Sequence, residues 1–211
     1  DNVAPENDNS EGTLNVDDFF ADKPSYNPEI PEEMTLGMLY YAEKFALLAG
    51  DLLFEKIPPS AADTGESAEA LSARIADRFK SFLIYSMIEK LGLLAERGDK
   101  WAEQVSVCIE KEYRKFWQDK SDQEIRECNK LAESGQIFLS SAEKEKLCDP
   151  FFFLKGTSYR DEDMQNNPVT RLCTQVMGDY YLEEEHPEAG TFLMEMAGFV
   201  LNDYFTCFWE E

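Results

Sequence analysis

Oxygen-bearing side chains recur at short intervals near the start of the chain. Counted from Asn7, positions 1, 3, 5, 9 and 12 are Asn7, Asn9, Glu11, Asn15 and Asp18, with Gly12 at position 6 and Leu14 at position 8. Hard oxygen donors at this spacing can wrap a large cation, and the glycine permits the sharp turn that draws them inward. A second oxygen set lies at the other end, where Asn202, Asp203, Thr206 and Glu210 share one face at helical spacing. With Asp18 and Asp22, such carboxylates could hold Mg²⁺ against a diphosphate. His186 is the only imidazole, preceded by Glu183, Glu184 and Glu185.

Each pattern has a counterpart in a known family. The Asn7–Asp18 run resembles a calcium loop of the EF-hand or dockerin type, which implies Ca²⁺ held by Asn7, Asn9, Glu11 and Asp18. It departs from that pattern with Asn at position 1 and Asp at position 12, and it has neither helical flanks nor a second copy. The Asn202–Glu210 set resembles the Mg²⁺ triad of class I terpene synthases, and Asp18 and Asp22 are similar to their aspartate-rich motif. That family carries its aspartates on a helix inside a larger barrel, whereas here they precede the helical region. Glu183-x-x-His186 resembles half of a di-iron carboxylate motif, which needs a second histidine. An acidic solvated leader and coincidence in an acidic chain are the plainer readings. Phosphate-cradling glycine loops are missing and nothing around His186 resembles a nucleophile elbow, so enzymatic chemistry is disfavoured.

The charge is more informative. The 43 acidic residues outnumber 20 basic ones, for a formal net charge of −23. Residues 1–33 hold ten carboxylates and Lys23 alone, and residues 172–211 hold nine carboxylates without a Lys or Arg. Nucleic acid and anionic membrane surfaces are disfavoured as partners, because both require Lys or Arg to neutralise phosphates. A basic protein or a cation stays open.

The pattern that must position these residues is helical. Residues 1–31 are rich in Asp, Glu, Asn and Pro and read as an extended or disordered leader, with Phe19 and Phe20 able to dock. Residues 32–211 read as one all-α domain, an irregular bundle of about six helices. The first helix runs from Glu32 to about Ile57, with a stripe of Leu36, Leu39, Tyr40, Glu43, Ala46, Leu47 and Gly50. The second runs from Glu66 to Arg97 and ends at Gly98. Asp99 caps a third helix. Ser121 to Glu124 fits a capping box that restarts a fourth, so the two form a hairpin about residue 120. A short turn opens at Ser140 or Ser141. Asn167-Pro168 starts a further helix with Val169, Leu172, Cys173, Val176, Met177 and Tyr180 on its stripe. Pro187 starts the last, striped by Phe192, Leu193, Met196, Val200, Tyr204 and Cys207.

Five cysteines, four of them on helical stripes, fit either packed thiols or one or two disulfides. No uninterrupted apolar run is long enough for a membrane span. The absence of an initial Met before Asp1, with the linker-like leader, favours an exported chain.

The expectation is a non-enzymatic, acidic helical protein that binds another protein, of inhibitor, immunity, chaperone or adaptor type, with no tightly held cofactor. Its contact region is residues 168–209, through Glu183, Glu184, Glu185, Tyr180 and Tyr181, against a partner with basic and apolar contacts. The competing expectation is a Ca²⁺- or Mg²⁺-dependent protein or enzyme built on the carboxylate clusters.

Overall fold

Pro31 opens the first helix where its missing N–H costs nothing, and Glu32 and Glu33 in the first turn answer the positive end of the helix. The computed structural model describes residues 19–58, 67–133, 135, 139–181 and 186–209. These residues form six α-helices and no strand. They are α1 (Pro31–Lys56), α2 (Ala68–Glu96), α3 (Lys100–Glu133), α4 (Ser141–Cys148), α5 (Pro168–Tyr180) and α6 (Ala189–Thr206). Single 3-10 turns at Phe152–Leu154 and Met164–Asn166 sit between α4 and α5.

The caps follow the sequence. Ser67 accepts a hydrogen bond from the Ala70 amide at the start of α2, and Asp99 accepts one from Ala102 at the start of α3. Ser140 and Glu143 form a reciprocal capping box on α4, and Asn167 caps α5. Gly98 takes φ +93°, a left-handed conformation open to it because it has no Cβ to clash, as α2 ends.

One expectation fails here. Residues 100–133 form a single 34-residue helix, not a hairpin. Ser121 is 2% exposed and turns its hydroxyl back to the Gln118 carbonyl, so it does not cap a new start. Residues on both sides of it are anchored. The Trp117 indole donates to Leu147 O at 2.7 Å, and Lys120 pairs with Asp77 on α2. The count of six therefore survives for a different reason: the expected third and fourth helices are one, and the short turn after Ser140 is a full helix.

The straight course of α3 also separates Cys108 from Cys128 by about 30 Å along the axis, far beyond disulfide range. All five cysteines are free thiols. Only Cys173 is buried; Cys108 and Cys128 are half-buried, and Cys148 and Cys207 are exposed.

Contacts fix the topology. Glu43 pairs with Lys80, and Asp51 with Ser72, so α1 and α2 run antiparallel. Ser81 meets Tyr113, and Asp77 meets Lys120, so α3 runs antiparallel to α2. The Tyr204 hydroxyl donates to Met38 O from α6, which lies antiparallel along α1. The core is built from Met38, Ala42, Phe45 and Leu53 of α1, Phe79, Phe82 and Leu83 of α2, Val105 and Ile109 of α3, and Leu193 and Tyr204 of α6. Each fully buried Leu, Ile or Phe contributes about 1.5–3 kcal/mol.

The buried face of α1 is only partly the expected one: of that stripe, Ala46 and Gly50 are buried. Leu36 and Leu47 are 53% and 41% exposed, whereas Met34, Met38, Tyr41 and Phe45 face inward. Because α1 touches α2, α3 and α6, its apolar residues spread over several faces, and its periodicity cannot single out one.

Residues 19–30 form an irregular strap along α1. Phe20 packs edge-on against Tyr41 and Phe45, and Tyr40 donates to Asp22 at 2.7 Å. Farther along, the Trp101 indole donates to Pro28 O at 3.2 Å. The rest of the expected leader lies outside the described residues. Among the described residues no helix is long and apolar enough to cross a membrane.

Candidate partner-binding groove

The stripe expected for the last helix leaves out Phe199, and the structure places this ring outward, 62% exposed. Glu195, Phe199 and Asp203 recur every fourth residue, which aligns them in one row on α6. Beside that row lies a groove of ≈ 440 Å³ between the strap, α1 and α6. Phe19 and Phe20 form one wall, Phe45 and Leu48 come from α1, and Phe199 closes the α6 side together with Asp203, Thr206 and Cys207.

Local bonding sets its polarity. Phe19 rests edge-on against Phe20 at 4.9 Å, while Lys44 Nζ sits 5.7 Å from the Phe19 centroid. Lys44 is itself paired with Asp22 at 2.8 Å. That ammonium first, and the Tyr40 hydroxyl second, hold the Asp22 carboxyl below its ordinary value. The Thr206 hydroxyl donates to Asn202 O at 2.7 Å, so it turns into its own helix. Cys207 donates to Asp203 O at 3.4 Å. Packing around the sulfur, then the charge of Asp203, push this thiol up to about 11, so at neutral pH it presents an uncharged, weakly polar surface. The groove thus offers aromatic and aliphatic area edged by carboxylates. It has no activated nucleophile.

The residues singled out from sequence fall in several places. Tyr180 and Tyr181 are 8% and 6% exposed and belong to the core. The Tyr181 hydroxyl donates to Ile57 O at 2.8 Å, and burial raises its pKa. Their rings are spent on packing, so the outward aromatic of this region is Phe199. Glu183, Glu184 and Glu185 lie outside the described residues, as do Asn7, Asn9, Glu11, Asp18 and Glu210. His186 is half-buried against the Tyr181 ring.

Of the second oxygen set, Asp203 and Thr206 stand in an apolar groove, and Asp22 is engaged by Lys44 and Tyr40. Among the described residues no group of three or more His, Cys, Asp or Glu could hold a metal ion. The aromatic C-terminal end is occupied too: Lys90 Nζ lies 4.3 Å from the Phe205 centroid and 4.4 Å from that of Trp209, and Phe208 packs on Tyr41.

Sequence reasoning reached α6 and the docking of Phe19 and Phe20 but missed Phe45, Leu48 and Phe199 as a set. The signal for Phe199 was present, since a large ring off the apolar stripe of a helix must face outward. Phe45 and Leu48 carried no such mark on a helix whose apolar residues spread over several faces. No protein-family model matches the chain, and no curated protein or solved structure matches it either.

Proposed function

We propose that the protein is a non-enzymatic binding protein whose groove takes an amphipathic, basic segment of another protein. The observation that carries this reading is Phe199, exposed on α6 with Glu195 one turn before it and Asp203 one turn after, at the edge of an otherwise apolar groove. An amphipathic helix places apolar anchors at i, i+3 or i+4 into such a groove and leaves its polar face at the rim. Lys or Arg on that face would meet Glu195 and Asp203. Residues 172–211 carry no cation to oppose them. Charge of this kind speeds encounter and enforces selectivity, while the buried anchors supply most of the affinity.

Fluorescence anisotropy with labelled synthetic helical peptides tests the reading. A Leu/Lys amphipathic peptide is expected to bind saturably and a Leu/Glu peptide of the same pattern to leave the signal flat. Phe199→Ala should weaken the Leu/Lys peptide about tenfold, the loss of one anchor worth about 1.4 kcal/mol. Equal binding of both peptides, or an unaffected Phe199→Ala variant, would overturn it.

A further inference from the structure

A second concavity, ≈ 330 Å³, opens between α2, α3, α4 and α5 with Phe152 in its wall, and it differs in character from the groove. Arg74 and Arg78 enter it from successive turns of α2, and Lys146 from α4. The Arg78 guanidinium is gripped by aromatic rings, 4.9 Å from the Phe152 centroid and 5.6 Å from that of Phe153. It has five N–H donors. The described residues answer them with Asp179, whose Oδ2 lies 3.4 Å from Nη2, longer than a good charge-assisted hydrogen bond. Its Nε is buried and has no acceptor among the described residues.

The carboxylates lining the same cleft are better answered. Asp77 is paired with Lys120, and both oxygens of Asp179 accept from the Gln175 amide at 2.8 Å. Glu143 accepts from the Ser140 amide and hydroxyl in the α4 cap, at 2.7 and 2.6 Å. Glu124 is the fourth acid on the lining.

We propose that this cleft binds a small, doubly charged oxyanion, of the phosphate-monoester or dicarboxylate class, between the α2 guanidiniums and Lys146. The underused Arg78 guanidinium fork matches two oxygens of such an anion, and Lys146 adds a point charge from α4. The volume lies at the lower end for ligand cavities, which fits a small molecule rather than a polymer. The field of a chain carrying −23 repels anions at long range, so the contact is to be read at about 0.15 M ionic strength, where that field is screened beyond about 8 Å.

Thermal unfolding of the full chain is followed while inorganic phosphate, methyl phosphate or succinate replaces chloride at constant ionic strength. A saturable rise in melting temperature with at least one anion is expected for the wild type. Arg74 and Lys146 are exposed, so Arg74→Gln and Lys146→Gln should fold normally yet weaken the anion about tenfold each. Glu124→Gln, which removes a repelling charge, should tighten it. Stronger binding of the phosphates than of succinate assigns the phosphate class, and the reverse order the dicarboxylate class; either supports the proposal. No saturable rise with any of the three, or a rise that Arg74→Gln and Lys146→Gln both retain, overturns it.

Discussion

Asp149, where α4 ends, takes two cations and a backbone amide at once. Lys155 Nζ is 2.9 Å from its Oδ2, and Arg114 Nη1 and the Phe151 amide are 3.2 and 3.1 Å from its Oδ1. Burial by itself would raise this carboxyl, but Lys155, the Phe151 amide and Arg114 together outweigh it and hold the pKa below the ordinary 3.8. A depressed carboxylate contributes stability that is fully present above the unfolded value and is lost as pH falls through the lower folded value. Asp149→Asn is therefore expected to cost about 1.5–3 kcal/mol near neutral pH, the range for hydrogen bonds to a charged group. The difference from wild type should shrink from neutral pH downward and vanish once pH lies below the depressed folded value. Urea unfolding of both proteins across that range checks it, and a pH-independent gap would remove the electrostatic explanation. No sequence pattern joined Asp149 to Arg114 and Lys155. Spacing identifies partners within one helix, and these three come together through the turn of chain after α4.

At the scale of elements, two glycines of α1 mark where backbones and rings come close, with different consequences. A Cβ at Gly50 would meet the Ser72 carbonyl oxygen at 2.9 Å and the Ala76 Cβ at 3.3 Å, at the crossing of α1 and α2. A Cβ at Gly37 would meet the Tyr26 ring at 2.6 Å, and that ring belongs to the strap rather than to a core helix. Gly50→Ala is expected to lower global stability by about 1–3 kcal/mol of overpacking, partly offset by about 1 kcal/mol of helix propensity. Gly37→Ala should instead shift the strap, weakening the Leu/Lys peptide while the melting temperature barely moves. Paired measurements of melting temperature and peptide affinity separate the two, and equal melting losses would show that the strap is not an independent unit. Helix bounds were mostly legible because caps and prolines are local chemistry. The break at Ser121 was misread for a related reason. A Ser-x-x-Glu run is also tolerated inside a helix, at about half a kcal/mol, and tertiary anchors on both sides decide which role it plays.

For the whole molecule, the net charge of −23 governs encounter rather than shape. Replacing Glu183, Glu184 and Glu185 by Gln removes three charges from residues 172–211, which hold no Lys or Arg. Association with the Leu/Lys peptide is expected to slow several-fold at low salt and to lose part of its salt dependence. Stopped-flow rates over a salt series read this directly, and an unchanged rate at low salt would place the attraction elsewhere.

Composition and periodicity by themselves established an all-helical chain, its principal caps and the acidic bias that disfavours phosphate-bearing polymers as partners. These depend on neighbours within a few residues or on sums over the whole chain, and both are written in one dimension. Which face of α1 turns inward, the continuity of α3, the burial of Tyr180 and Tyr181, and the assembly of Phe19, Phe45, Leu48 and Phe199 were decided by tertiary structure. Helix packing chooses among several apolar faces of similar quality, and it brings together residues some 150 positions apart that no local spacing connects.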